Sequence, residues 1–110
     1  MIIFYVDRDN NVGFVCLDED GEVVDLSTVT RAVVSANEIE IDSAISDKLV
    51  VQQEQVEWRG SQQTLWVIRL RLGLVEAMTE GRYQVRITLY SPDWPNGMVV
   101  ANGINVRVIE

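Results

Sequence analysis

The sequence predicts an all-β fold in which two sheets of short antiparallel strands share one core. Three observations carry that expectation: apolar residues recur with a period of two, Gly, Pro, Asn and Asp cluster between the runs, and 110 residues suffice for one core but not two. The opening run Met-Ile-Ile-Phe-Tyr-Val, ahead of Asp7, reads as a first strand. It is too short, and has too little positive charge before it, for a secretory signal. Residues 12–17 and 23–26 flank Asp18-Glu19-Asp20-Gly21-Glu22, whose Asp and Gly favour a hairpin connection. Residues 29–36 are rich in β-branched side chains, and Glu-Ile-Glu-Ile-Asp at 38–42 alternates cleanly. In 64–72, Trp66, Ile68, Leu70 and Leu72 share a face opposite Arg69 and Arg71, with Leu65 out of step. Leu74–Met78 hints at one helical turn before Gly81. The clearest strand is 82–90, with Tyr83, Val85, Ile87 and Leu89 on one face and Arg82, Gln84, Arg86 and Thr88 on the other. Ser91-Pro92-Asp93-Trp94-Pro95-Asn96-Gly97 then supplies a turn, and 103–109 returns with Ile104, Val106 and Val108 inward. Seven or eight strands at intervals of about 8–12 residues fit a sandwich or barrel. Residues 1–110 form a single domain on this reading, with no repeat or linker.

Composition narrows the function. No stretch approaches the roughly 18 apolar residues of a membrane helix, so a soluble chain made in a cytoplasm is expected. Net charge is −8, placed unevenly: residues 1–57 carry thirteen acidic and three basic side chains, residues 58–110 four and six. Strong negative charge repels phosphate backbones, which argues against a nucleic-acid partner. Cys16 is the only cysteine and histidine is absent, so neither an internal disulfide nor a thiolate zinc site can be built from one chain. No cofactor and no metal is expected.

Catalytic readings fare poorly. Asp18, Asp20 and Glu22 place carboxylates at alternate positions, yet Gly21 is fourth rather than sixth and no bidentate Glu closes a calcium loop. A solvated hairpin turn is the expectation. Glu38, Glu40 and Asp42 form a carboxylate row on one strand, but one strand face offers no cleft for an acid and base pair; solvent or arginines are the expected neighbours. Nucleophilic catalysis lacks a His base. Cys16 alternates with Phe14 and Val12, which points to core burial.

Basic charge is nearly all arginine, with Lys48 the one lysine. Arginine's planar fork suits interfaces. Arg69, Arg71, Arg82, Arg86 and Arg107 alternate outward on three strands and would form a stripe if those strands shared a sheet. Either local carboxylates and solvent pair them, or the stripe meets the acidic half of a neighbouring copy. Trp58 and Trp66 are expected in or beside the core. Trp94, in the turn, is either an exposed interface anchor or an indole folded over the sandwich edge; with Asp93 and Asn96 it could also stack on a sugar.

Two stretches resemble a known class. Asp20-Gly21-Glu22-Val23-Val24-Asp25-Leu26-Ser27 is similar to the G-x-x-x-D-L-(S/T) segment near the start of immunoglobulin-like domains in tailed-bacteriophage virion proteins, including amino-terminal domains of upper baseplate proteins. Residues 81–100, from Gly81-Arg82-Tyr83 through Tyr90-Ser91-Pro92 to Pro95-Asn96-Gly97, resemble the G-x-Y-x-x-x-(I/L)-x-x-Y-(S/D)-P…P-x-G ending of short virion domains of the same sort. Together they cover under a third of the chain. The resemblance implies an immunoglobulin-like β-sandwich of about seven or eight strands, without an active site, in a baseplate, tail, neck or decorated head. Other virion proteins and further copies of the chain would be its partners, with no membrane or nucleic acid and as a homo-oligomer in a symmetric assembly. The chain stops at Glu110, before the fibre or receptor-binding regions that baseplate proteins carry, so a small joining or decorating subunit is expected. A carbohydrate-binding module using the 91–97 loop is the alternative.

Overall fold

The period-two pattern resolves into eight strands in a computed structural model that describes residues 2–5, 9–37, 39–73 and 81–109, with the backbone alone at 3–5, 72 and 73. They are β1 (Ile2–Tyr5), β2 (Asn10–Phe14), β3 (Arg31–Ala36), β4 (Ile39–Asp42), β5 (Leu49–Trp58), β6 (Ser61–Gly73), β7 (Gly81–Ser91) and β8 (Trp94–Ile109). One sheet has the order β1-β8-β7-β3-β4 and the other β2-β6-β5. β3, β7 and β8 lie side by side as strands C, F and G of an immunoglobulin domain do, with β4 in the place of C′; β2, β6 and β5 follow the order B, E, D. The fold is an immunoglobulin-like β-sandwich. Its strands pair antiparallel except for β1, which runs parallel to β8 with Ile2 opposite Val106 and Tyr5 opposite Ile109.

Alternation decides which side chains close the gap between the sheets. Ala32, Val34 and Ala36 of β3, Val85, Ile87 and Leu89 of β7, and Val106 and Val108 of β8 meet Ile68 and Leu70 of β6, with Leu26 and Leu49 completing the cluster. Each large member, fully withdrawn from water, contributes about 1.5–3 kcal/mol. Tyr83 stands two residues before Val85 at the start of β7 and packs against this core, the place of the tyrosine corner in immunoglobulin domains.

The structure departs from the sequence reading in four places. β5 was not legible, because its middle reads Gln52-Gln53-Glu54-Gln55 and the outer half of the β5–β6 hairpin extends where few side chains are buried. Its turn is built on Arg59 (φ 51) and Gly60 (φ 84), consecutive left-handed residues as a type I′ hairpin needs. Residues 23–26 are not a strand: Val23 makes a single bridge with Leu17, and Leu26 drops into the core. The 91–97 turn is also tighter than expected. The chain reverses at Pro92 and Asp93, and Trp94 already pairs with Ser91 at the start of β8, the surplus residues of β8 being taken up as bulges against β7. Finally, Trp66 packs against the core, whereas Trp58 sits at the end of β5 beneath the guanidinium of Arg59, 5.5 Å from its ring. The helical hint at 74–78 and Glu38 lie outside the described residues.

Candidate functional site

The five arginines do not form one stripe, because their strands belong to two sheets. Arg82 and Arg86 of β7 and Arg107 of β8 project from the outer face of the five-stranded sheet, where all three are exposed. Arg82 stands directly opposite Arg107 across the β7–β8 ladder, an unfavourable like-charge pairing. Arg86 is opposite Ser35, which in turn is opposite Glu40. None of the three makes an ion pair among the described residues.

Arg69 and Arg71 stand on β6 in the other sheet, and Arg69 has a structural task. Its guanidinium donates to Glu54 Oε1 at 2.6 Å and Oε2 at 3.1 Å and to Asn11 Oδ1 at 3.0 Å, tying β5, β6 and β2 together across their outer face. Hydrogen bonds from Arg69 and then Gln52 hold the Glu54 carboxyl down at about 2. Gly13 makes room for this: a Cβ there would lie 2.8 Å from Arg69 Cζ. Arg71 is exposed at the end of the same row.

A second network was missed by sequence reasoning. Arg31 Nε donates to both oxygens of Asp42, at 2.9 and 3.0 Å, while Nη2 contacts Oδ2 and Cζ sits 4.7 Å above the Tyr90 ring. The Arg31 hydrogen bond, followed by one from the Ala44 amide, holds the Asp42 carboxyl below its ordinary value. Asp42 therefore faces an arginine, one of the two neighbours expected for the carboxylate row, while Glu40 is exposed. The partner Arg31 lies eleven residues upstream, and only the β3–β4 and β3–β7 registers bring the three groups together.

The acidic turn is a hairpin. Asp18 Oδ1 accepts from the Asp20 and Glu22 amides at 2.9 Å, and Gly21 takes a φ of 78. One oxygen of the Asp18 carboxylate, Oδ1, thus shapes the backbone.

Between Phe14 at the end of β2, with the 15–19 segment that follows it, and β8 lies an apolar groove of about 510 Å³. Phe14 and Cys16, Leu89 of β7, and Trp94, Met98 and Val100 of β8 are among the residues that line it. Trp94 is half-buried here, so its indole is turned into the sandwich edge, whereas Asp93 and Asn96 are exposed. Cys16 is half-buried rather than fully enclosed, and burial raises its thiol above the ordinary value. Asp18 and Glu19 stand at the groove's rim. No protein-family model, curated protein or solved structure matches the chain.

Proposed function

We propose that this chain is a non-enzymatic structural subunit of a tailed-phage virion, set in a baseplate, tail, neck or head decoration and binding other virion proteins and further copies of itself. The observation that carries the reading is the outer face of the five-stranded sheet. Arg82, Arg86 and Arg107 stand together there without a carboxylate partner among the described residues, in a chain whose net charge is −8. A cationic face on an anionic chain suits docking to the acidic surface of a neighbour. The resemblance of residues 20–27 and 81–100 to virion domains supplies the setting. A mass-spectrometric inventory of purified particles from a host carrying the gene tests it: the chain is expected in multiple copies per particle, and its absence overturns the assignment.

Carbohydrate binding is the second reading, favoured by Trp94 at the mouth of a groove beside exposed Asp93 and Asn96. Binding on a glycan array that Trp94→Ala abolishes would favour it over the first.

A further inference from the structure

We infer that the groove between β2 and β8 receives an extended strand from a partner protein, with apolar side chains at alternate positions and a basic residue at the end that reaches Asp18 and Glu19. The inference rests on the reading of this chain as a subunit that binds other proteins, and specifies what one such partner inserts.

Where β1 pairs with β8, the inward-facing Val106 and Val108 are 2% and 0% exposed. Beyond Val106 towards Trp94 no strand covers that side among the described residues, and Ile104, Ala101 and Val100 are only half-buried while Met98 is 37% exposed. The described part of β1, Ile2–Tyr5, lies beside Val106–Ile109, and the groove lies on the Trp94 side of it.

The smaller sheet of an immunoglobulin sandwich carries strands A, B, E and D, whereas this one is β2-β6-β5, and no strand among the described residues lies beside Asn11–Phe14 on the outer edge of β2. An added strand at β2 that continues past Phe14 would reach the groove, where alternate side chains meet an apolar lining that includes Phe14, Cys16 and Leu89. Bulges on β8 between Ala101 and Ile104 and around Val100 break the regular ladder on that side. β2 therefore supplies the hydrogen bonds, and β8 the apolar contacts.

Charge selects the occupant. Residues 94–106 of β8 contain no Asp, Glu, Lys or Arg, and the charged groups at the groove are Asp18 and Glu19, both acidic. The usual defences of an edge strand are charge, proline and bulges; here charge is missing along the apolar wall and negative at the rim. A strand ending in Lys or Arg is attracted, and the acidic Asp18–Glu22 turn of a second copy is not.

The test uses the intact chain and a synthetic peptide of roughly eight residues, long enough for one strand, alternating valine and threonine and ending in two lysines. Amide hydrogen exchange is expected to slow about tenfold at alternate residues of Asn11–Phe14, and a thiol reagent should modify Cys16 more slowly. A matching peptide ending in two glutamates should need a higher concentration for the same protection. Ala101→Arg, which fills the groove, should remove the protection with the melting temperature kept; if that variant unfolds, Met98→Lys at the mouth serves instead. Unchanged exchange at millimolar peptide, protection at the β4 or β5 edge, or equal protection by the glutamate peptide overturns the inference. Protection of β2 that rises with protein concentration alone also overturns it, in favour of a second copy. Presence or absence in virions moves none of these readouts, so the two proposals fail separately.

Discussion

At the scale of single residues, function and stability compete for the same side chain type. Arginine was the natural interface candidate, yet Arg69 is held by Glu54 and Asn11, and Arg31 by Asp42. What separates them from Arg82, Arg86 and Arg107 is a carboxylate within reach: Glu54 and Asp42 pair with Arg69 and Arg31, while none pairs with the other three among the described residues. The Glu54 pair makes stability pH-dependent with a definite sign. Its folded value near 2 lies below the ordinary 4.5, so its contribution is complete above about 4.5 and disappears as pH falls through about 2. Urea unfolding followed from pH 6 to about 2 should show a shallower loss of stability for Glu54→Gln than for the parent chain; equal slopes would mean that the pair is not formed in solution. Gly97 gives a second prediction. Its φ is 88, and a Cβ there would lie 2.9 Å from Thr88 Cγ2 and Tyr90 Cε1. Gly97→Ala combines backbone strain with a clash, and should cost about 1–3 kcal/mol in chemical denaturation.

At the scale of elements, the two hairpins behave differently because their side chains meet different neighbours. β7 is buried at every second position from Val85 to Ser91, and Leu89 has no exposed surface. Leu89→Ala should therefore destabilise the fold by about 2–5 kcal/mol, read from the shift in urea midpoint. The outer half of the β5–β6 hairpin, residues 53–64, carries mostly exposed polar side chains. Its ladder amides should exchange with solvent well before those of Ile87 and Leu89, since local opening there uncovers little apolar surface. Exchange at a common rate would show that the hairpin opens only with the whole domain.

At the scale of the whole molecule, charge is divided between faces as well as along the chain. The Asp18–Glu22 turn is exposed and acidic, while the outer face of the five-stranded sheet displays Arg82, Arg86 and Arg107. Contact between these surfaces on successive copies would be head-to-tail, which closes into rings or extends into filaments. Light scattering at low ionic strength is expected to show assembly that weakens with salt and is lost in Arg82→Glu with Arg86→Glu. Unchanged association of that double variant would remove the cationic face from the contact. Arg71→Glu, on the other sheet, serves as the comparison.

The period-two strings at 82–90, 103–109 and 64–72 were sufficient to assign β7, the later half of β8 and most of β6, and to choose the core-facing set Val85, Ile87, Leu89, Val106, Val108, Ile68 and Leu70, because alternation is a local property of the backbone. The glutamine-rich β5 escaped, since strand formation there depends on the β6 partner and not on its own apolar pattern. The site was less legible than the fold. Five outward arginines could be recognised one by one, but their division between two sheets, the capture of Arg69 and Arg31, and the turning inward of Trp94 depend on which strands become neighbours. Pairing partners are set by long-range packing of the two sheets. The groove is the extreme case: residues from 14–26, β7 and β8 line it, and no local string of residues encodes it.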